Sequence, residues 1–185
     1  MLWDRMIRAA RLEAGLYKEV EQDTSATSQA LLVVLIVAVL SGIGGLILAA
    51  TIPFLGLGGG IRGLITGIIT SLIAWAVWSF VTYWIGTTLF KGTATYGELL
   101  RCLGFAYTPS ALGFFVFIPG LGLLIAFIGS IWALVAMIIA IREALNFTTG
   151  NAIITAVIGF VVMLIVTAIL GALGLAGGPM GRIGM

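Results

Sequence analysis

The chain has 185 residues, of which 61% are hydrophobic and 9% charged, with a mean hydropathy of +1.23; ordinary soluble domains carry about a quarter charged residues, so a fully water-exposed surface is excluded and the bilayer becomes the expected solvent. Nine Lys and Arg against seven Asp and Glu leave a formal charge of +2, but the basic residues are scattered along the chain, which excludes nucleic acid as a partner. There is no histidine and a single cysteine, Cys102, which removes Cys/His metal clusters, Ser-His and Cys-His catalytic pairs and an intrachain disulfide.

Residues 1–28 read as a cytoplasmic amphipathic segment. Leu2, Trp3, Met6, Ile7, Ala10, Ala14 and Tyr17 recur at spacings of three and four among charged residues, which predicts a helix lying in the membrane interface with Trp3, Ile7 and Tyr17 facing the headgroups. A charged stretch of this length before the first apolar run does not fit a cleaved signal peptide. Asp23, Thr24, Ser25, Thr27 and Ser28 then offer N-cap oxygens.

Five apolar runs follow, each close to the roughly 20 residues a helix needs to cross a hydrocarbon core. The fold expected is therefore all-α, a polytopic bundle of five transmembrane helices at about residues 29–50, 62–90, 96–118, 121–141 and 153–173, followed by a Gly-rich tail at 174–185. A Pro- and Gly-rich loop separates the first two spans. Gly59, Gly63 and Gly67 lie four apart and predict a helix-packing seam, while Trp75, Trp78, Tyr83 and Trp84 predict an interfacial belt. Thr95 and Glu98 have capping-box spacing. Pro109 should kink the third span. Pro119 and Gly120 predict a tight turn, and Asn151 an N-cap for the fifth span.

With five spans the positive charges divide by side. Arg5, Arg8, Arg11, Lys18, Lys91, Arg101 and Arg142 fall on one side, and Arg62 and Arg182 on the other, which puts the N-terminus in the cytoplasm and the C-terminus outside. A re-entrant third segment would instead leave four spans and both termini inside. Asn146-Phe147-Thr148 matches a glycosylation pattern but faces the cytoplasm in this topology and reads as chance.

No acid or base falls in the middle of a span, which argues against proton-coupled transport, a paired-aspartate protease and a voltage sensor. The best polar cluster is Glu98, Arg101, Gly104, Tyr107 and Pro109, with Cys102 beside it. It reads as a cytoplasm-facing site or hinge, or as an intrahelical Glu98–Arg101 pair beside a tyrosine satisfied by a neighbouring helix. Cys102 reads as a packing residue.

Three stretches carry a family resemblance: LEAGLYKEVEQD at residues 12–23, leading through Gln29 and Ala30 into the first span, GTATYGELLR at 92–101, and GFAYTP at 104–109. In these the chain resembles the Yip1 domain family, in the form its prokaryotic members take. Phe105 stands where tyrosine is common, and the acidic motif of eukaryotic members has no counterpart. The resemblance implies a cytoplasmic segment before five spans, an organiser or adaptor rather than an enzyme, and a partner-binding role; the small prenylated GTPases bound by eukaryotic relatives are not carried over.

The expectation is a non-enzymatic multi-pass protein of the prokaryotic inner (plasma) membrane that needs no cofactor. Its partners would be the lipid bilayer and either another protein or a second copy of the chain. The rival is a small channel or solute transporter, for which the Gly-rich loops and the Pro109 kink would open a lumen.

Overall fold

A computed structural model describes residues 1–51 and 60–172. Among these the secondary structure is all helical: α1 (Leu2–Ala10), α2 (Ala14–Gln22), α3 (Ala26–Thr51), α4 (Gly60–Phe90), α5 (Tyr96–Ala106), a 3₁₀ helix (Thr108–Phe117), α6 (Gly122–Leu145) and α7 (Thr149–Ala172). The loop after α3, Gly59 within it, and the tail at 174–185 lie outside the described residues.

Four stretches are long and apolar enough to cross a membrane, namely Ala26–Thr51, Gly60–Phe90, Tyr96–Phe117 and Gly122–Leu145. Helix α7 adds a further 24 residues of apolar sequence. Their polarity is arranged for lipid. On α4, Ile61, Ile65, Ile69, Ile73, Phe80 and Trp84 are exposed, whereas the buried face of α6 is Gly129, Ala133, Ala136, Ala140 and Ala144, joined near its end by Ile141 and Leu145. Through the middle of α6 the inward residues are small because in lipid the packing of backbones, not removal of hydrocarbon from water, holds helices together.

The third stretch lies at the centre. Helix α5 and the 3₁₀ helix run beside α3 in the same chain direction and are flanked by α4 and α6, while α7 packs on α4 and α6. Contact is close enough to require glycine. A Cβ on Gly104 would sit 2.7 Å from the Cβ of Ala30, and one on Gly44 would sit 2.2 Å from the Phe114 carbonyl oxygen. Pro109 does more than kink the third span. The α-helix stops at Ala106 and the chain continues for ten residues as a 3₁₀ helix with the proline in its first turn, where the missing N–H costs nothing and the fixed φ fits. The turn at its far end uses Gly120 with φ of +77°.

At the expected seam of Gly63 and Gly67, nothing among the described residues lies within 4 Å of a Cβ on either residue. Close approaches between helices fall on Gly44, Gly104 and Gly129, and on Gly42 and Gly86, which meet the Leu64 and Leu145 side chains. Nor is the aromatic group on α4 a uniform belt. Trp84 is exposed, but Trp75 is buried and its indole N–H donates to the Leu100 carbonyl at 3.1 Å. Tyr83 packs with Phe80 and Tyr96, ring centroids 6.0–6.4 Å apart. Helix α7 begins earlier than expected, at Thr149, and it is the Thr148 hydroxyl that accepts from the Asn151 N–H.

Candidate functional site

The single amphipathic helix expected over residues 1–22 is two helices with a sharp turn between them. Helix α1 ends with Leu12 in the left-handed region, φ 62°. The Leu12 N–H bonds the Ala9 carbonyl and the Glu13 N–H bonds the Arg8 carbonyl, a Schellman-type arrangement that satisfies the last carbonyls of α1. The reversal brings α1 and α2 side by side. Arg5 then reaches Glu19 and Asp23, both at 2.8 Å, and Arg8 reaches Glu19 at 2.7 Å and Glu13 at 3.1 Å. Arg5 also donates to the Gln29 side chain at 3.0 Å, tying the pair to the start of α3.

These contacts set the protonation of the cluster. Hydrogen bonds from Arg8 and Arg5 hold the Glu19 carboxyl below its ordinary range. Asp23 is lowered by the Ser25 hydroxyl first and Arg5 second. Desolvation opposes the charge on Arg5, but the bonds to Glu19 and Asp23 outweigh it and raise its pKa.

Helix α2 lies on α5 and the end of α6. Its apolar face, Leu16, Tyr17 and Val20, is fully buried. Tyr17 is therefore not an interfacial residue: it is enclosed between α2 and the membrane helices, its hydroxyl has no partner among the described residues, and burial pushes its pKa up. Trp3 and Ile7 are 65% and 53% exposed.

Two cations fasten α2 to the bundle, each at the end of a helix. The Arg101 guanidinium, 7% exposed, donates from Nε to the Val20 carbonyl at 2.8 Å and from Nη2 to the Glu21 carbonyl. Lys18 donates to the Glu143 carbonyl at the end of α6 and to the Asn146 side chain at 2.6 Å. Both place positive charge on carbonyls in the last turn of a helix, at the negative end of its dipole. Asn146 takes the left-handed conformation that ends α6 and donates to the Thr93 hydroxyl at 3.1 Å, so the glycosylation-like triplet serves as a helix terminus. Between the two fastenings the Cys102 thiol donates to the Tyr17 carbonyl at 3.4 Å.

The Glu98–Arg101 pair is not formed. Glu98 is occupied by the capping box, accepting from the Thr95 N–H at 2.8 Å while Thr95 accepts from the Glu98 N–H at 3.3 Å. Arg101 instead reaches across some eighty residues of sequence to α2. The polar cluster thus separates by role: Glu98 starts α5, Arg101 and Cys102 hold α2, Gly104 admits α3, and Tyr107 and Pro109 mark the change of helix type. Tyr107 also lines a cavity of about 250 Å³ with Trp78, Met137 and Phe160.

Lys18 and the alanine face of α6 were not singled out from the sequence. The alanines had a legible signal, small residues at spacings of three and four among large ones. Lys18 had none, because its acceptors are a main-chain carbonyl and an asparagine 125 and 128 residues away.

What this arrangement offers is a folded cap on a helix bundle rather than a reaction centre. The described residues contain no group of three or more His, Cys, Asp and Glu able to hold a metal. A family model described as the Yip1 domain matches residues 15–170, a range that begins in α2 and takes in every membrane helix. No curated protein and no solved structure matches the chain.

Proposed function

The chain belongs to the Yip1 domain family, and from that premise we propose that it is a membrane-organising or partner-binding adaptor whose cytoplasmic face is the folded α1–α2 cap. Proteins of this family are non-catalytic adaptors. The observation that carries the proposal is the double fastening of α2 by Arg101 and Lys18, which holds the cap in one position relative to the bundle. A rigid surface of that kind binds a partner without first losing conformational entropy. The reading includes five membrane crossings, a cytoplasmic N-terminus, an outside C-terminus and residence in a prokaryotic inner membrane. The charge bias between alternate loops and the 24-residue length of α7 support the topology. The channel reading gains no comparable support, since the cavities between the helices are lined mainly by apolar side chains.

A photo-reactive residue at Trp3, on the cap, and another at Ile61, at the opposite end of the bundle, test the proposal in cells. The expected outcome is one defined protein adduct from position 3, reproduced when the partner carries the tag, and lipid adducts alone from position 61. Lipid adducts alone at both positions, together with solute flux in sealed liposomes, would move the protein to the channel class.

A further inference from the structure

We infer that the groove beneath the turn between α1 and α2 binds one anionic diacyl phospholipid, with its headgroup on Arg11 and its two chains on either side of Trp132. Two apolar cavities meet at this indole. One, about 450 Å³, is lined by Ala10, Leu40, Pro109, Leu112, Phe114 and Trp132 among others. The second, about 460 Å³, is lined by Leu12, Phe127, Ile128, Ile131, Trp132 and Val135. Ala10 and Leu12 roof them, and Arg11 lies between these two residues in sequence.

The depth of both cavities suits hydrocarbon chains. Leu40 is fourteen residues into α3 from Ala26, about 21 Å along the helix axis, so the first cavity reaches from the cap into the middle of the span. In the second, Val135 and Phe127 lie ten and eighteen residues before the end of α6, about 15 and 27 Å from it. Both cavities therefore begin under the α1–α2 turn, where Ala10 and Leu12 line them, and the second follows α6 from Val135 to Phe127 for about 12 Å.

Charge selects the headgroup. Of the four basic side chains in the cap, Arg5, Arg8 and Lys18 are engaged by carboxylates or carbonyls. Arg11 is exposed and has no carboxylate or carbonyl partner among the described residues. A guanidinium presents a fork of donors suited to a phosphate. Leu12 holds φ of 62° in the turn that ends α1, a conformation unfavourable for a residue with a Cβ. Glycine is the usual occupant of such a position, and the leucine here supplies apolar lining to the second cavity.

Quenching of Trp132 by phospholipids brominated on their chains tests the inference on the full chain in vesicles, the Trp132 contribution being the difference from the Trp132→Phe protein. Brominated phosphatidylglycerol should half-saturate quenching at about a fivefold lower mole fraction than brominated phosphatidylcholine, the advantage of one surface arginine for an anionic lipid. Arg11→Gln, an exposed substitution that leaves the cap's ion pairs intact, should abolish that preference, and Arg11→Lys should keep most of it. Equal half-saturation by the two headgroups would mean ordinary boundary lipid and overturn the site. A preference unchanged in Arg11→Gln, or no quenching of Trp132 because a second copy of the chain covers the cavities, would overturn it as well.

Discussion

Arg101 shows how far a residue's role can lie from its sequence neighbourhood. Three residues after Glu98 on one helix, it has the spacing of an ion pair worth a few tenths of a kcal/mol. In the fold Glu98 is spent on the helix start and Arg101 is buried against the last carbonyls of α2. A buried guanidinium without acceptors would be strongly unfavourable, and carbonyls at a helix end without donors are nearly as unwelcome, so each resolves the other. Arg101→Met should loosen α2 by about 2 kcal/mol, since charged hydrogen bonds contribute roughly 1.5–3 kcal/mol. Hydrogen exchange over residues 14–22 reads this directly, with rates expected to rise about thirtyfold while the amides of α6 keep their protection. Unchanged exchange in α2 would show that the apolar face alone holds it. Tyr17 gives the complementary case, a position whose apolar spacing suggested the membrane interface and whose side chain is enclosed under the cap.

At the scale of elements, the α1–α2 pair has an acid limit that its ion contacts fix. Glu19 and Asp23 have ordinary values of 4.5 and 3.8, and both are lowered in the fold. A lowered carboxyl stabilises the fold fully above its ordinary value and loses that contribution as pH falls through the lower folded value. The pairing of α1 with α2 should therefore be constant from about pH 6 to 8 and weaken below about pH 4. Because the Glu19 side chain is 42% exposed, water and salt screen its pairs, and Glu19→Gln should cost about 0.5–1 kcal/mol. A fluorophore on Trp3→Cys reports the motion, and labelling is selective because Cys102 is buried. Its anisotropy should stay level at neutral pH, drop in acid, and start lower in Glu19→Gln. An anisotropy indifferent to acid would mean that Met6 and Ala9, the buried residues of α1, suffice to hold it. The third stretch shows a similar division: Pro109 announced an interruption, but only the contacts on both sides hold ten successive residues in a 3₁₀ helix, longer than such helices usually run.

For the whole molecule, the number of crossings decides which ends share a compartment. Helix α5 and the 3₁₀ helix together rise about 36 Å, comparable with the roughly 30 Å hydrocarbon core. Reporter fusions should place residue 1 in the cytoplasm and residue 185 outside; both ends in the cytoplasm would mean that one apolar stretch turns back. The sequence by itself determined the all-helical membrane class, with long apolar stretches able to cross a bilayer, and the capping box at Thr95 and Glu98. These depend on composition, periodicity and partners three residues apart, all of them local. It did not determine that residues 1–22 double back, that Arg101 and Lys18 fasten α2 to distant helix ends, or that the close packing among the described residues uses Gly44, Gly104 and the alanines of α6 instead of Gly63 and Gly67. Those were decided by the tertiary structure, because a helix's small residues and charges acquire a role only when a particular neighbour arrives, and in a chain where nearly every surface is apolar the periodicity of hydrophobic residues does not say which face that neighbour will take.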